Sequence, residues 1–139
     1  MPRPRAALPT ILPILALLGC DDGAGTALET GSTVEQRVTV DGATRDYRVY
    51  APPGIELGGS NPVLVVFHGA LQSAAGIELM TWLYPEADAH NAIVIYPEAG
   101  RDRWLVPVEG QLLRNNPDVL FVDAILDALD AEVGIDRTR

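Results

Sequence analysis

The sequence has no lysine and a single cysteine, and only 6% of its residues are aromatic. Its ten cations are all arginines, set against nineteen carboxylates, for a formal net charge of -9. A chain this acidic is repelled by phosphate, which argues against nucleic acid or an anionic membrane surface as its partner. One cysteine cannot form a disulfide within the chain, so no covalent framework is available. The two histidines, His68 and His90, lack a cluster of cysteines or neighbouring acids, and that is not the pattern of a metal site. The three serines are Ser32, Ser60 and Ser73, and none has glycine both two residues before and two after it. A nucleophile elbow needs those glycines for its tight strand-turn-helix, so these 139 residues contain none.

What is present is a globular composition, 47% apolar and 21% charged, with room for one domain of ordinary size. The N-terminus stands apart. Arg3 and Arg5 precede an apolar run from Ala6 to Leu18, which is shorter than the roughly 20 residues a spanning helix needs, so a signal peptide is expected over 1–19. Leu17-Leu18-Gly19-Cys20 resembles the lipobox of bacterial lipoproteins, in which the cysteine carries the lipid. The resemblance implies export to the bacterial cell envelope and a membrane anchor on Cys20. The alternatives are an ordinary residue in a signal cut nearby, giving a secreted protein, or an unpaired buried thiol. Cleavage before Cys20 removes two arginines and leaves 8 - 19 = -11. Residues 20–33, rich in Gly, Thr and acids, read as a flexible tether.

The organising stretch is Pro62 to Ala70, PVLVVFHGA. A short β-branched run, apolar on both faces, predicts a strand buried in a parallel sheet, with function at its carboxyl end. Before it, two alternating segments at 34–40 and 45–50 flank Asp41-Gly42, a strong hairpin signal, and their Arg, Glu and Gln imply an antiparallel edge with one wet face. After it, Ser73 is a plausible N-cap for a helix over 74–83, and Pro85 can start a second short helix. Asn91 to Pro97 repeats the apolar run, completing a β-α-β unit. Residues 98–111 read as a long surface excursion. Asn116-Pro117-Asp118 opens a helix with a cap, a first-turn proline and an acid against the dipole. Val119, Val122, Leu126, Leu129 and Val133 predict its buried face beside Phe121, Ile125 and Ala128, with Asp123, Asp127 and Asp130 solvated and Gly134 closing the helix. The expected fold class is α/β.

Taken in order, Arg45-x-Tyr47-x-Val49-Tyr50-x-Pro52-x-Gly54, Phe67-His68-Gly69 with Gln72-Ser73-Ala74, Ala87-Asp88, Tyr96-Pro97-Glu98, Trp104, and Asp118-Val119-x-Phe121-Val122 running to Ile135-Asp136-x-x-Arg139 resemble the N-terminal half of the esterase/polyhydroxybutyrate depolymerase family of α/β-hydrolases. That family includes feruloyl and acetylxylan esterases. The match covers 34–139 and implies a partial α/β-hydrolase domain that stops before the nucleophile elbow. The resemblance also implies a serine ester hydrolase that uses no cofactor and takes an ester substrate only once complete. Nucleophile, acid and base are expected beyond Arg139, so the chain alone is expected to be inactive.

The same resemblance puts one oxyanion-hole donor just past His-Gly, on the backbone N–H of Ala70; the other reading is a plain strand-to-helix turn. His68 and Gly69 are expected to be structural at the strand end, since the family's catalytic histidine lies near its C-terminus. Ser73 lacks an elbow's glycines and reads as a cap. Trp104 either lines a substrate cleft or covers the sheet. Without the nucleophile strand, the opening strand would be an exposed edge with both faces partly covered. The competing functional class is a lipid-anchored binding or assembly half-domain without catalysis; a related hydrolase such as a serine peptidase is a third.

Overall fold

The structure, a computed structural model, describes residues 27–101, 103–105 and 115–138. Residues 1–19, the expected signal peptide, and Cys20 lie outside the described residues, as do residue 102 and residues 106–111 of the 98–111 excursion. Among the described residues are four strands, β1 (Ser32–Val40), β2 (Ala43–Ala51), β3 (Val63–Val65) and β4 (Ile93–Pro97). Three helices accompany them, α1 (Ala74–Thr81), α2 (Tyr84–His90) and α3 (Pro117–Val133).

The hairpin turns on Asp41 and Gly42 alone, with Val40 paired to Ala43. Both turn residues have positive φ, 50° and 76°, as a two-residue loop matched to strand twist requires. The strands therefore run further than the polar pattern suggests, and the domain is engaged before Val34. Gly31 N–H donates to Ala51 O at 2.6 Å, and Leu28 N–H to Glu132 Oε1 at 2.8 Å.

The sheet order is β1-β2-β4-β3. β2 pairs antiparallel with both β1 and β4, whereas β3 and β4 are parallel, Val65 opposite Ile95. The hairpin is thus an edge only through β1; β2 is interior, and its Tyr47, Val49, Tyr50 and Ala51 are buried. The wet face of β1 carries Glu35 and Arg37 but not Gln36. Gln36 shares the inward face with Val34 and Val38 and is buried there, where Tyr47, its register partner, donates its hydroxyl hydrogen to Gln36 Oε1.

The two runs that the sequence treats alike part company here. All five residues of β4 are buried. β3 forms the other edge, with Leu64 45% exposed, as expected for a strand lacking a neighbour rather than one covered on both faces.

One face of the sheet packs on α3. Val34, Tyr47, Val49, Ile93 and Ile95 meet Phe121, Ile125, Leu129 and Val133 in the larger core. This row of four-residue steps is the centre of the helix's buried stripe, so Val119, 36% exposed, lies off it. Asn116 caps α3 by accepting the Asp118 N–H, and Pro117 occupies its first turn. Asp123, Asp127 and Asp130 are exposed. The other face packs Tyr50, Val94 and Tyr96 on Ala74 and Ala87 of α1 and α2. The result is three layers with the sheet in the middle.

Gly134 ends α3 with φ 75°, and a Cβ there would lie 2.3 Å from Gly59 O. Only glycine permits this approach, across which Gly58 N–H donates to Val133 O and the Asn61 amide to Gly134 O. The chain then returns to the sheet. Ile135 bridges Asn61 in parallel, and Asp136 N–H donates to Asn61 O at 2.8 Å, so the backbone after α3 arrives alongside the strand edge of β3. No helix among the described residues is long and apolar enough to cross a membrane.

Candidate functional site at the carboxyl end of the parallel strands

Adjacent parallel strands with helices on both faces bring their carboxyl ends together, and there the chain gathers His68, Gly69, Ala70, Ser73, Glu98 and Trp104. The His68 side chain is fully buried. Its Nδ1 lies 2.8 Å from Gly69 O, and its Nε2 lies 3.1 Å from Ala99 N. Nε2 is also 3.1 Å from Glu98 Oε1. These two neighbours make opposite demands, since the Ala99 N–H needs a lone pair and the carboxylate needs a proton. The nitrogen serves one of them at a time.

Past His68 the chain makes a tight turn over Gly69 to Gln72. Gln72 N–H donates to Gly69 O at 3.2 Å, and Gln72 Oε1 accepts the Gly69 N–H at 2.8 Å. Leu71 takes φ 62°, the left-handed position usually given to glycine in such turns. Ala70 is exposed, and its N–H meets no acceptor among the described residues. Ser73 then accepts the Gly76 N–H at 3.1 Å and caps α1.

Glu98 follows β4 directly. Its Oε2 accepts the N–H of Ala74, the first residue of α1, at 2.8 Å. Its backbone oxygen accepts from Arg45 Nη2 at 2.9 Å. Arg45 in turn meets Asp118 at 2.7 Å, both side chains nearly buried, and its guanidinium lies over the Phe121 ring at 3.8 Å. One arginine on β2 thereby joins the end of β4 to the start of α3. Trp104 donates its indole N–H to His68 O at 2.8 Å and meets Phe67 edge-to-face, ring centroids 5.0 Å apart. It covers the end of β3. A cavity of about 680 Å³ opens beside Arg45, Arg101, Arg103 and Asp118.

A second polar cluster sits on the α1 face. Burial pushes the Glu78 carboxyl up, but hydrogen bonds from Tyr84 and Arg48 outweigh it and hold the group below the usual carboxylate range. Its pairing with Arg48, which also reaches Glu35, fastens the hairpin to α1. Tyr50 donates to Asp88 at 2.7 Å, tying β2 to α2. His90 lies exposed at the end of α2, 3.8 Å from Glu86.

Sequence reasoning identified the strand end, the cap and Trp104, but gave Glu98, Gln72 and Arg45 no role in a site. All three stand inside the motifs of the family resemblance. Position there was the available signal, and partner identity was not.

No family model matches the sequence. NocK of Nocardia uniformis subsp. tsuyamanensis, a provisionally named esterase, is 34% identical over 108 residues, covering 76% of this chain and 31% of its own. A thermostable esterase superposes with TM-score 0.52 at 19% identity, over 75% of this chain and 31% of that one. The ferulic acid esterase of the anaerobic fungus Anaeromyces mucronatus does so with TM-score 0.50 at 16% identity, over 84% and 50%. The chain spans about a third of NocK and half or less of the solved esterases, and over that span it has the fold of an α/β-hydrolase esterase.

Proposed function

We propose that this chain supplies the N-terminal part of a carboxylic-ester hydrolase site, in which Ala70 N–H is one of two oxyanion donors. The observation that carries the reading is the backbone N–H of the exposed Ala70, without an acceptor among the described residues and held in a tight turn past the carboxyl end of β3. Attack on an ester carbonyl builds negative charge on its oxygen, and a fixed donor there is worth about 3 to 4 kcal/mol in the transition state. Two further observations support it. The backbone at Ile135 comes alongside the edge of β3 in parallel, so a strand continuing in that direction would end next to Ala70. That is where a nucleophile elbow and its own N–H would complete the hole. The catalytic serine, acid and base then belong to sequence beyond Arg139, and a polyhydroxybutyrate-type or feruloyl-type ester is the substrate class. Within this scheme His68, enclosed by backbone partners, is structural and Trp104 braces the turn.

The same reading has the protein exported and held to the bacterial envelope by lipid on Cys20, supported by Arg3, Arg5 and the apolar run before Leu17-Leu18-Gly19-Cys20. Cys20→Ala should then move the protein from the detergent phase to the aqueous phase; unchanged partitioning rejects the anchor.

The purified 139-residue chain should leave p-nitrophenyl acetate and butyrate unhydrolysed, and the DNA after the Arg139 codon should encode a strand followed by GxSxG. Turnover by the chain alone that a fluorophosphonate titrates to zero would sink the proposal, as would continuing sequence without that motif.

A further inference from the structure

The turn that carries Ala70 is gripped at both ends by one side chain. At its start, Glu98 Oε1 lies 3.1 Å from Nε2 of the fully buried His68. At its end, Glu98 Oε2 accepts the Ala74 N–H at 2.8 Å, and Ala74 is itself buried. Only residues 69–73 separate those two anchor points. The geometry points to Glu98 as a positioning residue: by fixing where β3 stops and where α1 starts, it sets the direction of the Ala70 N–H.

Beyond the Trp104 indole N–H on His68 O, little else restrains the segment. Ala70 and Leu71 are exposed, Leu71 to 85%. Leu71 keeps φ 62°, a conformation disfavoured for a residue with a Cβ, so the turn persists only where its ends are held. The Gln72 contacts close the turn on itself without tying it to the domain. Ser73 caps α1 through Gly76 but leaves the Ala74 N–H to Glu98. That N–H is one of the first-turn donors with no partner inside the helix, and a carboxylate suits it by hydrogen bond and by dipole. The Glu98 backbone is immobilised in turn by its own N–H on Asp46 O and by Arg45 on its carbonyl oxygen, so the grip does not need the Ala99 N–H that competes for Nε2. A carboxylate on a rigid base can aim a turn that has no rigid core of its own.

The functional meaning of this inference rests on Ala70 being an oxyanion donor; the mechanical content does not. Backbone 15N relaxation on the full chain separates the two. In the wild type, residues 69–73 should show order parameters near those of α3, about 0.85, and in Glu98→Ala they should fall to about 0.6 or below with Ile125 and Leu129 unchanged. Glu98→Gln keeps an acceptor for the Ala74 N–H, so it should restore most of the rigidity while shifting the His68 ring nitrogen resonances. A turn as rigid in Glu98→Ala as in the wild type overturns the inference, and so does one already mobile in the wild type. Should Glu98→Ala fail to fold, Glu98→Gln decides through the His68 resonances, which must move if the carboxylate faces Nε2. If the rigidity depends on Glu98 but no GxSxG follows Arg139, the esterase reading falls and the positioning role stands.

Discussion

β3 and β4 are written in nearly the same letters, VLV and IVIYP, and they end up in opposite circumstances. β4 has β2 on one side and β3 on the other, with α3 beneath and α1 and α2 above, so all five of its residues are buried. Among the described residues β3 has a strand neighbour on one side only. Val63 and Val65 are half-covered on the α3 face, Leu64 is 45% exposed on the other, and Phe67 beyond the strand is 51% exposed. The difference lies in what stands beside each strand, since the runs have equal claims to burial by composition. An apolar run states a demand for cover, and topology decides which run receives it.

Energetics should follow cover rather than composition, and the largest effect is expected where the carboxyl end of β4 is secured. Arg45 and Asp118 are 11% and 12% exposed, and Arg45 also holds the Glu98 backbone. Arg45→Ala leaves a nearly buried carboxylate without its cation and should cost about 3–5 kcal/mol in denaturant unfolding. Replacing both partners by apolar residues of similar size should cost far less. If the double variant is as damaged as the single one, the pair is not what secures β4.

Next in size is the contrast between the two strands themselves. Ile95→Ala empties a fully enclosed site and should cost about 2–5 kcal/mol. Leu64→Ala removes a side chain already half in water and should cost under about 1 kcal/mol. Equal losses at the two positions would mean that β3 is covered in solution, by another chain pairing along its free edge.

Much of this architecture is legible in the amino-acid sequence. Asp41-Gly42 prescribes a turn needing two positive φ values, Asn116-Pro117-Asp118 prescribes a helix start, and both occur as written, because each depends on atoms a few residues apart. Gly134 is legible for the same reason, although the close approach of Gly59 that excludes a side chain is not. The centre of the α3 stripe was blurred because apolar residues lie all round its sheet-facing half; Val119 and Phe121 look equivalent until a sheet selects the row through Phe121. Gln36 reads as solvent-facing by its polarity and is buried, because alternation sets it on the Val34 and Val38 face and the hairpin register brings Tyr47 opposite it. The site divides in the same way. Ser73, His68 and Ala70 sit in one local pattern. The roles of Glu98 and Arg45 depend on partners 24 and 73 residues away, which spacing alone does not identify.

The smallest effect concerns the two faces of β2, where Tyr47 points to the α3 side and Tyr50 to the α1 and α2 side. Burial, then the nearby charge of Glu132, pushes the Tyr47 hydroxyl up to about 12, from an ordinary value of 10.0. Burial, then its hydrogen bond to Asp88, does the same for Tyr50, also to about 12. Each is an acid that ionises later in the folded protein than in the unfolded chain. Its contribution to stability is therefore complete below about pH 10 and is lost as pH climbs through about 12. Tyrosinate absorbance should accordingly stay low at pH 10 while the protein is folded, and then rise together with unfolding. Tyr47→Phe and Tyr50→Phe should each remove one equivalent of that late step. If Tyr50→Phe instead removes a step near pH 10, the α1 and α2 face admits water that the α3 face excludes, and the two sides of the sheet are not equally closed.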